Sequence, residues 1–162
     1  MDHNFIFSAL FVGIGATATM DLGTLVQKHL LRFQTLDYAL AGRWLGHAVR
    51  GRFVHRPITA SPPVRGERLI GWIAHYLTGI VFAALFLPAA GRAWIDNPSP
   101  WPALAFGVLT LAAPFLILQP GMGAGLAARR TPAPNKARLK SLATHLTFGA
   151  GLWLSALCLA QL

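Results

Sequence analysis

Asp21, His75, Gln119 and His145 are the side chains here whose chemistry stands out, because each lies inside a long apolar run. A carboxylate and two imidazoles in such a setting can relay protons, hold a cation, or hydrogen-bond one helix to another. Their spacing is helical. Thr17, Asp21, Thr24 and Lys28 recur every three or four residues and share one stripe. Gly71, His75 and Gly79 form a second stripe, and Ser141, His145 and Gly149 a third. Small residues at four-residue spacing let helices approach closely. The stripes therefore predict helix-contact faces, with Asp21 paired to His75 or His145 and Gln119 orienting them.

Several kinds of chemistry follow from such a layer. As packing glue, each interhelical hydrogen bond contributes about 0.6 to 2 kcal/mol. As a relay, the layer passes protons or a small solute, with Asp21 as acid, base or cation partner. As a metal site, Asp21, His75 and His145, with Met122 as a possible fourth ligand, have the donor types for zinc or iron. No HExxH pair or clustered ligand motif accompanies them. His75 and His145 could also be axial ligands of a haem. His3, His29, His47 and His55 read as terminal, interfacial or loop residues. Hydrolase chemistry has no nucleophile elbow, and "GMGAG" lacks the GK[ST] of a phosphate loop. The lone Cys158 excludes an intramolecular disulfide and reads as an apolar packing residue.

The elements that position these residues are membrane spans. The chain has 162 residues, 54% apolar and only 12% charged, with a mean hydropathy of +0.51. Soluble domains carry about 25% charged residues. A spanning helix needs roughly 20 apolar residues, and four stretches qualify: about 5–31, 69–90, 101–128 and 139–162. Pro114 and "QPGMGAG" at 119–125 predict a kink or unwinding at the end of the third. "ATA" at 16–18 resembles a cleavage site, but "MDHN" lacks the positive charge of a signal peptide, so the first run is read as a span.

The formal net charge of +9 would suggest nucleic acid in a soluble protein. Here topology accounts for it. The basic residues from Lys28 to Arg68 lie at or between the ends of the first two spans, and those from Arg129 to Lys140 between the last two. Only Arg92 lies in the other loop. The positive-inside rule makes the basic side cytoplasmic and puts both termini outside. Trp94 and Trp101 then fit an outer aromatic belt. At 1.5 Å per residue, Asp21, His75, Gln119 and His145 fall roughly 9 to 15 Å from the cytoplasmic ends of their spans. They share the inner half of the bilayer.

Within the loop at about 32–68, "LDYALAGRWLGHAV" spaces Leu36, Leu40 and Trp44 by four residues, with Leu45, Ala48 and Val49 widening the stripe. This predicts a short amphipathic helix on the inner leaflet, capped by Thr35, although Gly42 and Gly46 weaken it. Arg50, Arg52 and Arg56 would meet anionic lipid headgroups. "ITASPPVRGERL" is a Pro-rich linker, with no helix expected before about Gly66.

"GIGATATMDL", "YALAGRWLGH", "GERLIGWIAHYLTG", "APFLILQPGMGAG" and "TPAPNKARLKSLATHLTFGAG" together resemble a bacterial family of small integral membrane proteins of unknown function. The resemblance covers nearly the whole chain. It implies four spans in a bacterial inner membrane and carries no activity or catalytic residue. The expectation is thus one all-α transmembrane domain over 1–162, a four-helix bundle with an interfacial helix between its first two spans. It would sit in the lipid bilayer of the inner membrane, contact anionic lipids at the cytoplasmic face, form a homo-oligomer and bind no nucleic acid. Its expected role is passage of protons or a small solute. The alternatives are a non-transporting packing protein or a haem- or metal-binding redox subunit.

Overall fold

Asn4 starts the first helix by accepting a hydrogen bond at its Oδ1 from the Ile6 amide (3.0 Å), an N-cap that satisfies a donor the helix leaves open. A computed structural model describes residues 4–31 and 37–161, and the described residues are all helix, turn and loop. Helix α1 spans Phe5–Leu31, α2 Tyr38–Ala48, α3 Glu67–Ala90, α4 Arg92–Asp96, α5 Pro100–Leu109, α6 Gln119–Met122 and α7 Pro134–Leu159. The cap of α2 is Asp37, whose carboxylate accepts from the Ala39 amide at 2.9 Å. The Thr35 cap expected from the sequence lies outside the described residues.

Four helical stretches are long and apolar enough to cross a membrane: Phe5–Leu30, Glu67–Ala90, Pro100–Met122 and Pro134–Leu159. The protein is therefore a multi-pass membrane protein in contact with lipid. Glu67 opens the second span directly after Gly66. The prolines predict a non-helical linker before it, but Ile58–Ala60 form a short 3-10 turn, closed by the Ser61 amide on the Ile58 carbonyl at 3.0 Å. The third span is broken as expected. It turns from α-helix to a π-turn at Pro114–Leu118 and then forms α6. It stops at Met122, short of the expected Ala128, because Gly123 adopts a left-handed conformation (φ 97°). The amides of Ala124 and Gly123 bond back to the carbonyls of Gln119 (2.8 Å) and Pro120 (3.1 Å). That is the pairing of a glycine-terminated helix end.

The described chain forms two compact units. Of the described residues, the first contains 4–31, 76–110 and 142–161. Its core gathers Val12, Ala16, Ala83, Phe86, Leu87, Trp94, Phe148 and Leu152. Trp94 is part of this core, not of an aromatic belt: its ring packs edge-on to Phe86 with centroids 4.8 Å apart, and its Nε1–H donates to the Ser99 carbonyl at 2.9 Å. Trp101 is exposed as the belt requires. Cys158 is also exposed, so it does not serve core packing. Gly151 brings α7 against α1, where a Cβ would stand 2.7 Å from the Ala16 Cα. Thr17 and Thr19 hide their hydroxyls by donating to the carbonyls of Gly13 (2.7 Å) and Gly15 (2.8 Å). This satisfies the side chain without a partner on another helix.

Of the described residues, the second unit contains 37–75 and 111–141. In it, α2 lies against the first turns of α3, backbone to backbone at Gly42 and Gly71. The linker beyond α2 folds over Ile58, which is buried. Trp44 donates from Nε1 to the Phe53 carbonyl (2.8 Å), and the His55 amide donates to the Gly121 carbonyl (2.9 Å).

Candidate functional site

The intramembrane polar residues divide between the two units. In the first, Asp21 on α1 accepts a hydrogen bond from the Tyr76 hydroxyl on α3 at 3.1 Å. Tyr76 suits this place because its ring is apolar and only its tip is polar. On α7, His145 Nδ1 stands 2.8 Å from Thr110 Oγ1, which donates its own proton to the Gly107 carbonyl at 2.6 Å. Gln27, on α1, bridges to α7: its Nε2 donates to Thr147 Oγ1 and its Oε1 accepts from Thr144 Oγ1, both at 3.4 Å. Thr17 is buried and bonded within its own helix, and Thr24 is half-buried.

In the second unit, His75 Nε2 lies 2.9 Å from the Tyr38 hydroxyl, and the two rings stack with centroids 4.3 Å apart. Gln119 donates from Nε2 to Ser141 Oγ at 3.4 Å. Its Oε1 is buried without a hydrogen-bond partner among the described residues. Buried polar atoms are nearly always satisfied, so such an atom calls for an explanation.

Hydroxyl groups thus meet each ionisable residue of the expected layer: Tyr76 at Asp21, Tyr38 at His75 and Thr110 at His145. Among the described residues no three His, Cys, Asp or Glu side chains are grouped to hold a metal ion. The metal expectation for Asp21, His75 and His145 therefore has no ligand cluster behind it. Nothing in the sequence marked Tyr76, Tyr38 and Thr110, because tyrosine and threonine in an apolar helix read equally well as packing residues. For Gln27 a signal existed, because it lies three residues beyond Thr24 and so close to the Asp21 stripe.

The linker holds a second polar network that its sequence hid. His55 is 1% exposed. Its Nε2–H donates to the Arg52 carbonyl (3.2 Å), so Nδ1 accepts from the Ser61 hydroxyl (2.7 Å). Burial holds its pKa below the usual 6.5, against the opposing effect of the Arg52 carbonyl. His47, also buried, donates to the Pro62 carbonyl at 3.0 Å and stands 5.1 Å from the His55 ring. These two histidines are therefore structural members of a packed loop, not exposed interfacial residues. On α2, Arg43 makes a forked ion pair with Glu67 (2.7 and 2.9 Å) and also donates to the Ser61 carbonyl (3.2 Å). Glu67 in turn accepts from the Val64 amide at 2.9 Å. That carboxylate raises the guanidinium pKa of Arg43.

A double-mutant cycle tests this network. Arg43→Ala and Glu67→Ala each lower thermal stability, and the double variant loses less than the two losses added. The exchanged pair, Arg43→Glu with Glu67→Arg, does not restore stability, because an arginine at 67 cannot accept from Val64. Thermal unfolding in detergent reads the native chain and the four variants.

Residues 10–159 match the family described as "Protein of unknown function (DUF2938)". The chain belongs to that family. No curated protein and no solved structure matches it. The matched residues include both polar networks, the last three spans and all of the first beyond its opening residues.

Proposed function

We propose that this family member is a bacterial inner-membrane protein with both termini outside, and that its intramembrane polar residues pass protons or a small solute. The observation that carries the reading is the Asp21–Tyr76 pair: a carboxylate retained inside an apolar span and met by a phenol from another span. Ionisable groups at such depth are costly and commonly mark conduction paths. The orphaned Gln119 Oε1, beside the broken end of the third span, adds an acceptor for a passing donor. In this reading the four spans pack as a bundle and form a homo-oligomer. Asp21 takes and releases the proton, His75 and His145 are further exchanging groups, and Gln119 is an orienting hydrogen-bond group. The basic loops face the cytoplasm, where α2 lies at the interface and Arg50, Arg52 and Arg56 meet anionic headgroups.

A packing role is the second reading, favoured by the Gln27 bridge to Thr144 and Thr147, which joins α1 to α7 without any ionisable group. Proton flux into liposomes loaded with a pH-sensitive dye separates the two. Asp21→Asn keeps oligomeric state and melting temperature and cuts flux by about a hundredfold, the scale of losing a positioned acid–base group. Tyr76→Phe cuts it less. Loss of folding in Asp21→Asn, or wild-type flux no greater than that of empty liposomes, would sink the passage reading.

A further inference from the structure

The second unit carries an open cleft of about 450 Å³ lined by Arg56, Pro57, Gly123 and Arg130. Two guanidinium groups on one small cleft repel each other unless something neutralises them. The described carboxylates of this unit are already engaged: Asp37 caps α2, and Glu67 pairs with Arg43 and the Val64 amide. Among the described residues the side chains of Arg56 and Arg130 have no hydrogen-bond or ion-pair partner.

The frame beneath the two arginines is fixed. Arg56 follows His55, whose ring bonds both Ser61 and Arg52 and whose amide bonds Gly121. Gly123 lies directly against this segment: a Cβ there would be 2.6 Å from the His55 carbonyl oxygen and 3.2 Å from the Pro57 Cα. The Arg130 amide bonds the Ala124 carbonyl at 2.8 Å, tying the second arginine to the same glycine turn. Both side chains therefore rise from backbone that is held in place before any ligand arrives. Preorganised arginines suit a tetrahedral oxyanion, because each planar fork donates two parallel hydrogen bonds to phosphate oxygens.

We propose that Arg56 and Arg130 form a phosphate-binding site, taking either the phosphate of a lipid headgroup or a free phosphate group. The site deepens the headgroup contact in the membrane placement above and is independent of the passage reading. It differs from diffuse attraction by Arg50 and Arg52 in having one stoichiometric place and two named arginines.

Purified full-length protein is titrated with inorganic phosphate in neutral detergent. It is then placed in nanodiscs of phosphatidylcholine alone or with phosphatidic acid or phosphatidylglycerol, and bound lipid is counted by native mass spectrometry. One saturable phosphate or one retained anionic lipid is expected per chain. Arg56→Gln and Arg130→Gln each weaken it by about tenfold, and Arg50→Gln with Arg52→Gln changes it less than about twofold. Retention of anionic lipid that inorganic phosphate does not displace identifies a headgroup site; phosphate binding in detergent with no lipid preference identifies a soluble phosphate. Arg56→Lys and Arg130→Lys, which keep charge and lose the fork, bind more weakly than the native chain. Equal losses in both Gln sets, unsaturable binding, or no binding by either probe would overturn the proposal. Circular dichroism accompanies each variant. If a Gln variant unfolds, the Lys pair decides: binding equal to that of the native chain overturns the forked site.

Discussion

Gly71→Leu is expected to detach α2 from the start of α3 and cost at least about 3 kcal/mol, the upper range for overpacking. The reason is backbone contact in both directions. A Cβ on Gly71 would overlap the Tyr38 carbonyl oxygen and stand 3.2 Å from the Gly42 amide nitrogen. One on Gly42 would overlap the Glu67 carbonyl oxygen and stand 2.7 Å from the Gly71 amide nitrogen. Backbone atoms cannot rotate aside as a side-chain tip can, so the helices must part. Parting them also strains the Arg43–Glu67 pair and the Tyr38–His75 bond, which cross the same contact. Limited proteolysis of residues 49–66 and thermal unfolding in detergent provide the check. Gly42→Leu behaves like Gly71→Leu, whereas Ile73→Leu, at an exposed position, changes little. Unchanged proteolysis in both glycine variants would contradict the observed packing.

His55→Ala has the next largest expected effect. The ring is almost fully buried and holds Ser61 and the Arg52 carbonyl at once. Its removal leaves the buried Ser61 hydroxyl without its partner, frees the part-buried Arg52 carbonyl and opens a cavity, for a combined loss of about 3 kcal/mol. The same residue makes the linker acid-sensitive. Its folded pKa is depressed, so the folded loop favours the neutral ring while the unfolded loop takes a proton below 6.5. Stability is complete above that value and falls as pH drops below it. A positive charge on His47, 5.1 Å away, or on nearby Arg52, acts in the same direction. Amide exchange over residues 50–66, corrected for its intrinsic rate, should therefore quicken from about pH 7.5 to about pH 5.5. His55→Gln should flatten that dependence. A pH-independent native loop would contradict the burial of a neutral imidazole.

His55 also shows where sequence reading reaches its limit. It sits among arginines and prolines, and nothing local marks it as buried. Its burial comes from Ser61 and from Gly121, the latter far along the chain. His47 is similar, because its carbonyl partner belongs to the linker prolines. Trp94 matched an interfacial aromatic by position, yet Phe86 and the Ser99 carbonyl draw it into the core. Asp21 was legible as an anomaly because one charge in an apolar run is visible without partners. Its partner Tyr76 was not, since a tyrosine there reads equally well as packing.

The sequence by itself determined the four apolar spans, the break in the third and the start of the second at Glu67. Each is local: hydropathy over a bilayer's thickness, a proline's missing N–H, a glycine's tolerance of positive φ. Only the tertiary structure decided that Gln27 bonds residues 117 and 120 positions away, that α2 meets α3 through two glycines, and that Arg56 and Arg130 share a cleft. Those pairings depend on how distant segments close on one another, and residue type at one position carries no record of that closure.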